Sequence, residues 1–248
     1  MEKRLEDFAC ESIRLKVTGE QGAPLKLGAS KVGGCPDVIE DFEWPRDKKG
    51  RPLSLLLQIN CSDVSKIDKT GVLPASGCIL FFYELEEMDY EGAGGSIRLY
   101  YFEEGETLIR MECPSDLHDN LRIKERALSF EVRMSYPSCE DYITLLADGE
   151  EPDYDVLEAE YNEAKSRLGG LLKRQEGDVG SMLGYADLLQ NYIVDDLENN
   201  VLLMQMFSFR SGDCELMFGD EGCVYLYISK EALKAKDFSE LKFEMQCL

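Results

Sequence analysis

The sequence predicts a β-rich α+β fold made of two related halves, with a few flanking helices. Strand-like apolar runs cluster in blocks and do not alternate regularly with helical stretches, which disfavours a parallel α/β sheet. Short stretches of the first third recur in order near the C-terminus. Of the 248 residues 44% are hydrophobic, enough to bury a substantial core.

Taken in order, residues 2–9 predict a short helix and 12–17 alternate like a strand. Residues 53–59 and 78–84 are compact apolar runs bounded by Gly, Pro, Asn or Ser, as buried strands are. Strands are also expected at 97–102 and 128–134. Helical spacing marks 141–147 and 154–168, the second with Leu157, Tyr161, Ala164 and Leu168 on one face. Strands at 201–207, 214–218, 223–228 and 241–245 close the chain, with a short helix at 230–234.

The internal matches are specific. Val32-Gly33-Gly34-Cys35-Pro36-Asp37 resembles Leu183-Gly184-Tyr185-Ala186-Asp187 with one residue deleted. Leu55-Leu56-Leu57-Gln58-Ile59 resembles Leu202-Leu203-Met204-Gln205-Met206, and the run from Gly77 to Tyr83 resembles that from Gly222 to Ile228. The offsets of 150, 147 and 145 are nearly constant. They predict an internal duplication within one domain over 1–248, with repeat units at about 25–135 and 175–248.

Charge is uneven. The chain carries 49 acidic and 27 basic side chains, a net charge of −22. Residues 84–160 hold 22 acids and 6 bases, including Glu84, Glu86, Glu87, Asp89 and Glu91, then Asp148-Gly149-Glu150-Glu151-Pro152-Asp153. That block reads as a solvated connector between the repeat units. A pI near 4.4 argues against nucleic acid and against anionic membranes as partners.

No apolar h-region follows the charged residues 1–7, and no run approaches bilayer length. The nine cysteines, at positions 10, 35, 61, 78, 113, 139, 214, 223 and 247, are odd in number and form no Cys-x-x-Cys pair. Reduced thiols in a cytoplasmic protein are expected.

Ser30-Lys31-Val32-Gly33-Gly34-Cys35-Pro36-Asp37, followed by Asp41-Phe42-Glu43-Trp44-Pro45, resembles the N-terminal signature of the YwqG-like family. Leu57-Gln58-Ile59-Asn60, Leu73-Pro74 and the run from Gly77 to Tyr83 continue the likeness. Leu183 through Gln190, Met217 through Gly222 and the stretch from Ile228 to Ser239 resemble its second half. The chain departs from the family where Ala186 replaces a proline, Phe218 a tryptophan and Glu221 a small residue. The resemblance implies an α+β fold and a bacterial cytoplasmic protein of uncharacterised function, without catalytic residues to carry over. Some relatives are thought to be immunity proteins against toxins.

Catalytic constellations are not visible. His118 is the sole histidine, so any Cys-His pair or Ser-His-Asp triad must use it. Its nearest cysteine, Cys113, lies with it in a polar turn, and no Gly-x-Ser-x-Gly elbow exists. One histidine without paired cysteines makes no zinc site, and the 148–153 acids do not match an EF-hand. Gly92-Ala93-Gly94-Gly95 lacks the Walker lysine pattern and reads as a turn. Gly33-Gly34 reads as a turn needing positive φ, with Lys31 beside it as a minor candidate for holding an anion. No cofactor and no metal is therefore expected.

The functional expectation is non-enzymatic binding by an acidic surface that takes a basic protein, with an immunity-type role against a basic toxin as its specific form. Glu86, Glu87 and Asp89 are its candidate contact residues. Trp44 is either a loop anchor or a partner platform, and Asp220 either a hairpin-turn residue or a contact. A small-ligand module with a pocket between the two halves is the alternative, as is an enzyme with a hidden site. Oligomeric state is left open.

Overall fold

The computed structural model describes residues 4–18, 25–146, 153–169 and 173–248. After a 3-10 turn at Leu5–Phe8 come β1 (Cys10–Thr18), β2 (Lys31–Val32), β3 (Asp37–Val38), β4 (Ser54–Asn60) and α1 (Cys61–Val64). Next are β5 (Cys78–Tyr83), β6 (Ile97–Phe102), β7 (Ile109–Arg110), β8 (Arg126–Ser135), α2 (Cys139–Leu146) and α3 (Tyr154–Leu168). The chain closes with β9 (Asp178–Met182), β10 (Asn200–Phe207), β11 (Phe209–Ser211), β12 (Cys214–Leu216), β13 (Cys223–Ser229), α4 (Lys230–Ala235) and β14 (Lys242–Gln246).

Ten strands form one antiparallel sheet in the order β14-β13-β10-β9-β1-β8-β2-β4-β5-β6. The long pair β1–β8, in register from Cys10 opposite Ser135 to Thr18 opposite Ala127, is its centre. An arm of four strands extends on each side, each running outward in chain order. Both arms shift register at corresponding places, β4 on β5 between Leu55 and Leu57 and β10 on β13 between Leu202 and Met204. Such bulges sharpen the twist, and the sheet curls until its inner faces share one core. In that core Leu57, Phe81 and Tyr83 join Met204, Leu226, Phe243 and Met245. The rings of Tyr83 and Phe243, from opposite arms, lie 5.0 Å apart.

The outer face of each arm is covered by its own loops. Leu55, Leu80 and Phe82 meet Val38, Phe42 and Trp44, while Leu202, Tyr225 and Tyr227 meet Ala186, Ile193 and Val194. Both faces of the inner strands are therefore buried, which is why they read as continuous apolar runs rather than alternating ones. The 3-10 turn, α2 and α3 form a small separate layer around Leu5, Tyr142, Tyr161 and Ala164. Asp153 caps α3 by accepting from the Val156 N–H, and Ser229 caps α4 by accepting from the Ala232 N–H.

The β-rich α+β expectation holds, and Tyr154–Leu168 is a helix over its whole expected length. The expected helix at 2–9 is a 3-10 turn of four residues, with residues 2 and 3 outside the described chain. Ala147 and residues 148–152 of the acidic loop also lie outside the described residues. The strand expected at 214–218 ends at Leu216. The acidic middle block is more than a connector, since it supplies edge strand β6 and central strand β8. Glu84 is not solvated: it is 2% exposed, accepts from the Glu86 and Glu87 backbone and pairs with Arg51 at 3.2 Å.

Candidate functional site

Each arm contains a tight elbow where the chain leaves the sheet. At the first, Gly33 and Gly34 take φ of 61° and 73°; at the second, Leu183 and Gly184 take 59° and 68°. The match is residue for residue, Val32–Asp37 against Met182–Asp187, so the deletion assumed from the sequence is not needed. Glycine is required by space as well as by φ. A Cβ at Gly33 would lie 2.5 Å from the Ile123 carbonyl oxygen, and one at Gly184 would lie 2.2 Å from Ser135 Oγ.

Beyond each elbow an aspartate is held by a strand glutamine. The Asp37 N–H donates to Gln58 Oε1 at 2.8 Å while Gln58 Nε2 donates back to Asp37 Oδ2 at 2.7 Å. The Asp187 N–H donates to Gln205 Oε1 at 2.9 Å, and Gln205 Nε2 reaches Asp187 Oδ2 at 3.4 Å. Each aspartate also meets a guanidinium, Arg110 at 2.8 Å for Asp37 and Arg14 at 2.9 Å for Asp187. Burial alone would raise the Asp37 carboxyl, yet hydrogen bonds from Arg110 and Gln58 and the Lys31 charge hold it below its ordinary value.

The surroundings of the elbows differ. Lys31 lies under the first, fully buried, 2.9 Å from Glu125 and 3.8 Å from Asp37. The anion-holding expectation for Lys31 fails, because its charge is enclosed and already balanced. At the second elbow Ser181 stands in that place and receives a hydrogen bond from Gln205 Nε2.

The second elbow also opens onto a cavity of about 460 Å³. Leu183, Tyr185, Val201, Leu202 and Tyr227 line its apolar side, with Leu145 from α2 and Val72 from the loop before β5 closing it. Lys230, at the start of α4, stands on its rim, and it also lines an adjoining cavity of about 340 Å³ with Val72, Lys234 and Lys236. Glu11 on the rim is paired with Lys69, and Lys236 with Glu103, whereas Lys230 has no carboxylate within ion-pair distance among the described residues. Asp141 of α2 lies behind this wall. It is 2% exposed, its Oδ2 has no hydrogen-bond partner among the described residues, and burial pushes its carboxyl up to about 6. Burial, and with it the Asp141 charge, raises the Tyr185 hydroxyl to about 12.

The residues expected from the sequence to contact a partner are each engaged in local contacts. Glu87 pairs with Lys49 and with Arg51, and Glu86 reaches Arg51 at 3.5 Å. Asp89 accepts the Glu91 and Ala93 N–H groups and so shapes its own turn. Trp44 is half-buried, donates Nε1–H to the Leu53 carbonyl at 2.9 Å and meets Phe82 edge-on. Asp220 is exposed in the turn between Gly219 and Glu221, and its carbonyl accepts the Leu248 N–H at 3.1 Å. None of these five lines the cavity.

His118 is exposed, and the partner of Cys113 is Cys35. Among the described residues no group of three or more His, Cys, Asp or Glu is arranged for a metal, and no helix is long and apolar enough to cross a membrane. A pocket between the two halves was the alternative expectation, and this cavity takes Thr70 and Val72 from the first unit and Leu183, Tyr185, Leu202 and Tyr227 from the second, but none of its lining residues was singled out from the sequence as a site residue. It is assembled from stretches as distant as Cys10 and Lys230, and only the Leu183-Gly184 elbow signalled a special place.

Together these features define a curled β-rich α+β domain with a ligand-sized cavity where β1, the loop before β5 and α4 converge. Residues 30–247 match the family described as Domain of unknown function (DUF1963), and the chain belongs to that family. No curated protein matches the chain.

Proposed function

We propose that the protein is a non-enzymatic small-ligand-binding module whose ligand has an apolar body and an anionic group. The observation that carries this reading is the largely apolar cavity of about 460 Å³ lined by Lys230 and the neighbouring acid Glu198, neither of which forms an ion pair among the described residues. That volume is within the range of ligand sites, about 300–1,000 Å³, and such sites combine an apolar lining with a few polar groups that orient the ligand. Lys230 would meet the anionic group, Tyr185 and Tyr227 would flank the body, and Lys234 extends the cationic side.

A medium-chain carboxylate such as decanoate, compared with decanol, tests the reading by thermal stabilisation. Decanoate should raise Tm, decanol should raise it less, and Lys230→Ala should remove the difference. Absence of any shift with both, or equal shifts unaffected by Lys230→Ala, overturns it.

A second reading, an acidic surface for a basic protein in an immunity-type role, draws on the net charge of −22. It is weaker at Glu86 and Glu87, where Lys49 and Arg51 already neutralise much of the field. We further infer that the protein is YwqG-like, bacterial and cytoplasmic, with arms descended from an internal duplication over about 25–135 and 175–248. The matched elbows, reciprocal Gln–Asp pairs and matched register shifts support the duplication.

A further inference from the structure

The first elbow carries a feature that the second lacks. Cys35 follows Gly34 directly, and its Sγ lies 3.2 Å from Sγ of Cys113, 78 residues away. Both thiols are half-buried, so a small reagent can reach them. Each is held from behind. The Lys31 ammonium donates to the Cys35 carbonyl, fixing the turn. Arg122 donates to the Pro114 and Leu117 carbonyls, fixing the loop that follows Cys113. Facing the sulfurs are the cations Lys31, Arg110 and Arg122 and the carboxylate Glu125, itself tied to Lys31 at 2.9 Å and 3.8 Å from Arg110.

We propose that Cys35 and Cys113 form a peroxide-reactive dithiol, in which Cys35 is the attacking sulfur and Cys113 the resolving one. The Cys35 sulfur attacks the terminal oxygen of a hydroperoxide. An S–O bond forms, the O–O bond breaks, and the remainder leaves as an alcohol, or as water from hydrogen peroxide, after taking a proton. Cys113 sulfur then attacks the Cys35 sulfenic acid; the S–S bond forms, the S–O bond breaks, and water leaves with the Cys113 proton. Two thiols and one hydroperoxide thus give a disulfide, an alcohol and water, the two electrons passing to the peroxide oxygen. A thiol such as glutathione reverses the change by exchange at the disulfide.

The thiolate is the reactive form, and this pair separates the two roles. The hydrogen bond from Cys113, opposed by burial and aided by the Lys31 charge, lowers the Cys35 thiol to about 6. The same hydrogen bond and burial raise Cys113, which keeps the proton. Burial pushes Cys61, Cys78 and Cys223 up to about 12 and Cys214 to about 11, so these remain unreactive thiols.

The reduced full-length protein, which has nine free thiols, is exposed to one equivalent of hydrogen peroxide, denatured and alkylated. The thiol count should fall by two, peptide mapping should show a 35–113 link, and dithiothreitol should restore all nine. Cys113→Ser should accumulate a sulfenic acid at Cys35 that dimedone traps, and Cys35→Ser should slow thiol loss at least about tenfold. Both variants should keep the parent Tm within a few degrees, which separates lost reactivity from lost folding. Oxidation that links another pair, or a Cys35→Ser protein that oxidises as fast as the parent, overturns the proposal.

Discussion

At the first elbow a reciprocal Gln58–Asp37 pair sits over a fully buried lysine, and Ile123 and Glu125 close against its glycines. At the second, the same Gln205–Asp187 pair sits over a serine, and Leu183, Gly184 and Tyr185 face a cavity. The backbone solution is shared and the side-chain environment is not. In the first arm the space under the turn is filled with compensated charge; in the second it holds the neutral Ser181, and while Ser12 and Ser135 close one side of the turn its other side lines the cavity. One pair of elbows can therefore make one arm a rigid, charge-balanced anchor and leave the other free to receive a ligand.

The largest expected effects concern what the arms share. Leu56 and Leu203 are both 0% exposed on equivalent central strands. Leu56→Asp and Leu203→Asp each place an unpaired carboxylate in the common core and should each cost more than about 4 kcal/mol. Urea unfolding would measure both. A strong loss in one and none in the other would break the equivalence of β4 and β10.

The next effect should differ between the arms. Asp37→Ala removes one of the two carboxylates that balance the buried Lys31 and the acceptor used by Arg110, Gln58 and the Gly28 N–H, and should cost about 3–5 kcal/mol, because buried charges and donors lose their partners. Asp187, with 35% of its side chain exposed, shares its charge with solvent, so Asp187→Ala should cost about 1 kcal/mol. Equal losses would mean that the lysine beneath the first elbow does not set the difference.

Much of this frame was legible in the sequence. Leu-Leu-Leu-Gln-Ile and Leu-Leu-Met-Gln-Met place Gln58 and Gln205 at the same point of their strands, and Asp37 and Asp187 share the outermost offset. Strand β9 was not legible. Gly180 and Ser181 lack strand-forming side chains because a Cβ at Gly180 would lie 2.2 Å from the Gln205 carbonyl oxygen. Long-range pairings were also hidden. Cys113 was set beside His118 because they are neighbours in sequence, whereas the fold sets it beside Cys35. The burial of Glu84 could not be read from a run of acids, since it depends on Arg51 arriving from another loop.

A third contrast lies in the buried acids. The Asp37 carboxyl titrates below its ordinary range, so its contribution to stability is present above about pH 4 and lost as pH falls. Asp141, pushed up to about 6 by burial, behaves oppositely: its contribution is present at pH 4 and lost as pH rises through about 6. Asp141→Asn should therefore stabilise the protein by about 3 kcal/mol at pH 7.5, the gain vanishing near pH 4. Denaturation midpoints of both proteins across that range would show it. A pH-independent difference would remove Asp141 as the source.

The smallest expected effect separates the outer layers of the two arms. Leu188, Leu189, Ile193 and Val194 cover the second arm and are held through their backbone, with Gln246 accepting the Leu189 N–H and Lys242 donating to the Ile193 carbonyl, whereas Trp44 covers the first through its own side chain, packing on Phe82 and hydrogen bonding to Leu53. Trp44→Phe keeps a ring over Phe82 and removes the indole N–H, leaving the Leu53 carbonyl to find another donor. A loss of about 1 kcal/mol is expected, the ordinary net worth of one such bond. Because Trp44 is the sole tryptophan, the comparison needs far-ultraviolet circular dichroism rather than fluorescence. The decanoate-induced rise in Tm should be the same in both proteins, since Trp44 is not part of the groove wall. If stability is unchanged while that rise disappears, Trp44 is a ligand platform rather than an anchor, and the binding surface has been assigned to the wrong arm.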